Sequence, residues 1–359
     1  MKKSLDAKLA EIHADAESNA FILADAKDPD MAFGIGAPGR EGGRPDGPVR
    51  SLAELREIIR QNVRQGLLDI MLMSVSTSEV LTIQERLFAE SPVTPAIRAN
   101  DTTDVHIIRH GVYPDAPSRP FRTALLDHAQ CGRLAGEDAD RTLGADLGLY
   151  SLTFNNDVDL DREALEAYKA FRIEAERKGF RHFLEVFAPN APTRPIPPDQ
   201  VGAFMNDHVV RTLAGVASVA RPLFLKIAYQ GPKFMEELVR YDRHLVPGIL
   251  GGSSGTTYDA FKLLADAKAH GARAALFGRK INNAEHQLTF ITYLRAIADG
   301  QISPEEAVRA YHGDLQGMKI APIRCFEDDM QLTHPAVGLG ASVTTYSMPA
   351  SSGQNGTGE

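Results

Sequence analysis

Two charged residues placed inside apolar runs are the ones best able to do chemistry. In LFLKIAYQGP, residues 223–232, Lys226 stands among apolar neighbours. Strand alternation puts Phe224, Lys226 and Ala228 on one face and Leu225 and Ile227 on the other. If the first face lines a closed interior, desolvation there works against an ammonium and favours the neutral amine. A neutral lysine is a nucleophile that can form a Schiff base with a carbonyl compound. A lysine buried only to pair with a carboxylate is the competing reading. In HFLEVF, residues 182–187, Glu185 shares a face with Phe183 and Phe187. On an adjacent parallel strand it would come within reach of Lys226 and could shuttle protons for imine chemistry. It could equally neutralise the ammonium, and the two roles can coexist.

A second constellation could hold an anion. The runs GILGGSSGTT (248–257) and LFGRKINN (276–283) each end an apolar stretch in glycine. Gly252, Ser253 and Gly278 let backbone N–H groups approach a phosphate, and Arg279 adds a forked charge. Ordinary turn chemistry with a surface arginine is the plainer alternative. His106 and His110 stand four apart and could bind a metal if their segment were helical. Pro114, Pro117 and Pro120 follow and no carboxylate motif accompanies them, so no metal is assigned. Asp101 and Asp104 in the same segment could hold substrate hydroxyls or be solvated loop carboxylates. Cys131 and Cys325 have no metal-ligand spacing, and Met71 and Met73 read as core.

The elements that must position these residues form a regular series. Apolar runs occur at 21–25, 68–74, 93–99, 147–153, 182–187, 223–228, 246–251 and 274–278. Continuous apolar runs suit parallel strands buried on both faces. Helical patterns lie between most of them. Ser51 and Glu54 form a capping box, Asp161 can cap the next long helix, and Thr256 or Thr257 can start another that Gly271 ends. Ser303, Pro304 and Glu306 make a complete helix start. Eight β/α alternations predict the α/β class and a single (β/α)8 TIM barrel. A doubly wound sheet is the competitor, but no G-x-G-x-x-G follows the first strand.

Residues 1–20 read as an amphipathic helix that packs on the barrel and plugs its bottom. The barrel is expected over 21–315, a C-terminal extension over 316–350 and a disordered tail over 351–359. The Gly/Pro-rich segment 34–48 is either a functional loop after strand 1 or a solvated linker.

Composition narrows the partners. The 359 residues are 43% apolar and 24% charged, with a formal net charge of −8. Without clustered Lys/Arg, nucleic acid is not an expected partner. No apolar run approaches the ~18 residues of a membrane span, and the N-terminal residues lack the apolar core of a secretory signal. With two cysteines far apart, a reduced, cytoplasmic protein is expected.

The runs 21–34 (FILADAKDPDMAFG), 144–159 (GADLGLYSLTFNNDVD), 183–187, 224–229, 248–255 and 276–282 carry a family resemblance. Over roughly residues 5–310 the chain resembles the class I, Schiff-base-forming aldolases of the tagatose-1,6-bisphosphate and archaeal-type fructose-1,6-bisphosphate group. The resemblance implies that Lys226 forms the Schiff base and that Glu185, helped by Asp25, transfers protons. It implies a phosphate site at Gly252, Ser253, Gly278 and Arg279, with Lys27 as a further basic group. No cofactor is implied. The expected activity is aldol cleavage of a phosphorylated ketose by a homo-oligomer. The alternatives are a metal-dependent lyase or isomerase using His106 and His110, and a non-catalytic sugar-phosphate binder. The chain departs from the group after strand 1, where Asp25-Ala26-Lys27-Asp28 replaces Asp-Gln-Arg-Gly. The strand-4 lysine of tagatose-bisphosphate aldolases falls near Leu149 or Tyr150, which leaves a second phosphate unassigned. Asp25, Glu185 and Lys226 are expected to open to one cavity at the strand C-termini.

Overall fold

A computed structural model describes residues 2–134, 137, 140–252 and 255–333. Ser253, the extension beyond residue 333 and the tail expected at 351–359 lie outside them. Eight strands close into a barrel: β1 (Ile22–Lys27), β2 (Ile70–Met73), β3 (Thr94–Arg98), β4 (Leu147–Thr153), β5 (Arg181–Phe187), β6 (Leu225–Ile227), β7 (Gly248–Leu250) and β8 (Ala274–Phe277). Each pairs with its sequence neighbours, β8 closes on β1, and every pairing is parallel. All eight apolar runs become strands of the expected (β/α)8 barrel.

Side-chain alternation divides the residues between two cores. Ile22, Ala24, Ile70, Leu72, Phe183 and Phe224 belong to the cluster that fills the interior. Leu23, Met71, Met73, Leu184 and Ile227 belong to the cluster shared with helix residues such as Leu55 and Ile59. The helix Ser4–Ala14 adds Leu5, Leu9 and Ile12 to the interior cluster and so seals the N-terminal end.

The helix starts follow their local chemistry. Ser51 and Glu54 cap Leu52–Gln65 reciprocally, and Gly66 ends it at φ 74°. Thr256 with Asp259 caps Thr257–Ala269, and Ser303 with Glu306 caps Pro304–Gly317. Asp157, not Asp161, caps Val158–Arg177. Asn156 turns the chain at φ 56°, which aims the Asp157 carboxylate at the N–H groups of Asp159 and Leu160. Asp161 instead accepts from the N–H groups of Asn155 and Asp157. In the run at 246–251 the strand itself begins at Gly248: Val246 sits at φ 46° and Pro247 has no N–H to give, while their carbonyls accept from Leu225 and Arg273.

The segment after β1 is largely exposed but is pinned to its neighbours. Its short turns pack against the segment after β8, and Arg50 donates to the carbonyls of Pro38 and Asn282. A Cβ on Gly43 would lie 1.9 Å from the Asn283 carbonyl oxygen, so only glycine fits there. Among the described residues, no helix is long and apolar enough to cross a membrane.

Leu5 is fully buried in the seal. Leu5→Ala is expected to cost about 2–4 kcal/mol, the usual range for a core leucine truncated to alanine. Urea unfolding reads it, and a loss near zero would mean that this helix does not close the barrel.

Candidate active site

The site begins with strand register. On the parallel ladder Ser151 lies beside Glu185, and Glu185 beside Lys226. In-register side chains of parallel strands share a face, here the interior. Lys226 Nζ lies 2.5 Å from Glu185 Oε1. Ser151 Oγ donates to Glu185 Oε2 at 2.7 Å. The lysine is therefore not held among apolar groups alone, as its local sequence suggests. It is buried against a carboxylate whose two oxygens are both engaged.

Arg98 joins this group from the end of β3. It donates to Asp28 Oδ2 at 2.5 Å and to Ser151 Oγ at 3.1 Å, and approaches Glu185 Oε2 at 3.6 Å. Burial opposes the guanidinium charge, but Asp28 and Glu185 outweigh it and hold the group protonated. Asn100 exchanges hydrogen bonds with the backbone of Ser151, at 2.9 and 2.6 Å, and so ties the end of β3 to β4.

The long segment after β3 roofs the mouth. Asp101–Thr102 pairs with Pro120–Phe121 in a small antiparallel ribbon. Asp104 accepts from Ser118 and Thr153, both at 2.8 Å. Val105 packs with Phe187, Ala228 and Leu250. Under this roof Lys226 is 6% exposed and Glu185 1%. Asp101 and Asp104 are likewise buried, not solvated loop carboxylates.

Asp25 and Lys27 do not join this group, contrary to expectation. Asp25 is in register with Met71 and Lys27 with Met73, on the face that packs against the helices. They form an ion pair at 3.1 Å with no exposure on either side chain. Asn62 donates to Asp25 at 2.8 Å from the helix Leu52–Gln65. Burial pushes Asp25 up and Lys27 down, each against its partner's charge. The residue of this segment that reaches the site is Asp28. Period-two counting from Ile22 puts Ala24, Ala26 and Asp28 on the inner face, so the signal was in the sequence. Arg98 and Ser151 carry no motif of their own, though the same count from Ala96 and Leu149 turns both inward.

Gly252 and Gly278 lie just beyond β7 and β8, whose register joins Leu250 to Leu276. Gly252 takes φ 56°, and Arg279 opens the short helix Arg279–Asn282. Ser253 is outside the described residues. The next lysine, Lys280, turns away from the lumen toward the Phe290 ring, and burial brings it down to about 8 despite nearby Asp329. His106 and His110 lie outside any α-helix, and His106 packs edge-on against Tyr113 and Phe121. Among the described residues no group of three His, Cys, Asp or Glu could hold a metal.

The chain is thus a (β/α)8 barrel with a buried lysine–glutamate pair in its mouth. Solved structures of the same architecture include an archaeal fructose 1,6-bisphosphate aldolase, with TM-score 0.58 and 16% identity over 83% of this chain and 100% of that one. Another archaeal fructose-1,6-bisphosphate aldolase, with the catalytic Lys covalently bound to the carbinolamine intermediate of the substrate, matches at TM-score 0.57 and 17% identity, over 83% and 100%. The fructose-bisphosphate aldolase from Slackia heliotrinireducens matches at TM-score 0.60 and 13% identity, over 86% and 91%. At these identities the likeness is one of fold. No family model matches the chain, and none of the curated proteins is similar to it in sequence.

The buried pair beside β2 has a structural signature. Lys27→Met should destabilise the protein by roughly 3–5 kcal/mol, because it strands a buried carboxylate. Adding Asp25→Asn should restore most of the loss. Urea unfolding of the single and double variants decides it; equal stabilities would show that the pair carries no coupled charge.

Proposed function

We propose that the protein is a class I aldolase acting on a phosphorylated ketose through a Schiff base on Lys226. The observation that carries this reading is the 2.5 Å contact between Lys226 Nζ and Glu185 Oε1 inside the barrel mouth. A carboxylate in contact with an ammonium can accept its proton and free the amine. The amine then attacks the ketone carbon. The carbinolamine oxygen takes a proton and leaves as water, giving an iminium. Glu185 is the group in position to move those protons. When the carbon–carbon bond breaks, its electron pair passes into the iminium and gives an enamine, while a hydroxyl proton is lost and an aldehyde departs.

The likeness in fold to an aldolase whose lysine carries a carbinolamine supports the same reading. The glycine loops after β7 and β8, with Arg279, are proposed to hold the phosphate. Lys27 and Asp25 have no part in the proposed reaction, since their side chains face the helices.

Borohydride trapping with ketose phosphates, followed by peptide mass mapping, is the direct test. Wild type should yield an adduct on the peptide containing Lys226. Lys226→Met should lose adduct and turnover and keep its fold. Glu185→Gln should retain some adduct and lose about 10²–10⁴ in rate, the range for acid–base groups. A wild type that traps no ketose phosphate would overturn the reading.

Arg279→Ala should weaken phosphorylated ligands by about 1–3 kcal/mol, the scale of a charge-assisted hydrogen bond, and leave unphosphorylated ones unchanged. Equal losses for both, measured by calorimetry, would remove Arg279 from the phosphate site.

A further inference from the structure

The carboxylates of the barrel mouth are not alike. Glu185 is engaged at both oxygens, by Lys226 and by Ser151. Asp28 is held at Oδ2 by Arg98. Asp104 is held at both oxygens by Ser118 and Thr153. Asp101 differs. It is 3% exposed, and its Oδ1 is buried with no hydrogen-bond partner. Its backbone is fixed by the ribbon pairing to Phe121, and the Asn100 side chain reaches its carbonyl. A buried carboxylate oxygen left unpaired in a folded protein costs stability and calls for an explanation.

We infer that Asp101 is the group that faces the hydroxyl on the carbon that becomes the aldehyde and takes its proton as the carbon–carbon bond breaks. This rests on the aldolase reading and divides its proton transfers between two carboxylates. Glu185, locked to Lys226, serves the nitrogen. Asp101, with an oxygen to spare, serves the hydroxyl. The balance is simple. The O–H proton goes to the Asp101 carboxylate, and the oxygen's electron pair becomes the aldehyde C=O. The broken carbon–carbon pair neutralises the iminium as it becomes the enamine.

The electrostatic surroundings suit the task. Burial raises the Asp101 carboxyl to about 6, Arg98 works against that rise, and Asp28 adds to it. Those two are the charged groups coupled to it. A base that titrates close to neutral pH both accepts and returns a proton readily. The sign of the linked stability follows. The folded protein binds this proton more tightly than the unfolded chain, so stability through Asp101 rises as pH falls from about 6 toward 4. Asp101→Asn removes a buried charge and should fold at least as well as wild type at neutral pH.

The test separates the two halves of the reaction. Dihydroxyacetone phosphate probes imine formation, read as a borohydride-trapped adduct on Lys226. Fructose 1-phosphate and fructose 1,6-bisphosphate probe cleavage. Asp101→Asn is expected to trap dihydroxyacetone phosphate as wild type does, to cleave ketose phosphate at least 100-fold more slowly, and to lose the acidic limb near pH 6 from its rate profile. Unchanged cleavage, or an unchanged acidic limb, would overturn the assignment. Loss of trapping in a variant with a wild-type melting curve would also overturn it, by making Asp101 a positioning residue for Lys226. Failure of the underlying reading is visible separately, because the wild type would then trap none of the three compounds.

Discussion

The mouth of this barrel depends on one register. Parallel pairing sets Ser151, Glu185 and Lys226 side by side on three consecutive strands. A slip of one residue on β5 would send Glu185 outward and bring Leu184 in. Burying an ammonium without a partner costs several kcal/mol, so Lys226 is tolerable there only because a carboxylate arrives in the same layer. That carboxylate needs support in turn, from the Ser151 hydroxyl and Arg98. Arg98 brings in Asp28. The outcome is an alternating series, Lys226, Glu185, Arg98, Asp28, whose charges cancel. Each member holds its neighbour, so the geometry of the amine is set by residues from four strands or strand ends.

Below that layer the interior turns apolar, from Phe183 and Phe224 down to Leu5 and Leu9. This division separates tasks along one axis. The lower layers and the N-terminal helix supply burial and keep water from entering from beneath. The upper layer carries the charges, and the segment after β3 covers it with Val105. Water excluded on both sides strengthens every electrostatic interaction in between. The same dry surroundings make an uncommitted carboxylate such as Asp101 costly, and so informative.

How much of this the sequence discloses follows from which physical rule speaks at each position. Strands buried on both faces leave continuous apolar runs, so all eight were legible. Lys226 and Glu185 were legible because a charge in such a run has few reasons to be there. Asp25 and Lys27 match the resemblance by position after strand 1, but the two-residue alternation turns both outward. Arg98 and Ser151 obey that alternation but carry no distinctive motif, and their value appears only when β3, β4 and β5 are side by side. Asp161 was a fair candidate for a helix cap. Asn156 in a left-handed conformation moved the start to Asp157, and no propensity scale reports that turn. The roof over the mouth is a long-range arrangement of a Pro-rich segment, for which the sequence offers no periodicity to read.

The charges of the mouth are also distributed unevenly, and the distribution bears on substrate shape under the proposed reading. Asp28, Asp101, Asp104 and Glu185 come from β1, β5 and the segment after β3. Gly252, Gly278 and Arg279 come from the β7 and β8 side. A phosphate held on the second side leaves the other end of the ketose facing carboxylates. Arg98, at the end of β3, is already engaged by Asp28 and Glu185. On β4 the inward residues are Leu147, Leu149, Ser151 and Thr153, none of them basic. A second dianion at that end would meet those carboxylates, whereas hydroxyl groups would find acceptors. Under the proposed reading, the carboxylates at that end suit a hydroxylated far end of the ketose better than a second phosphate.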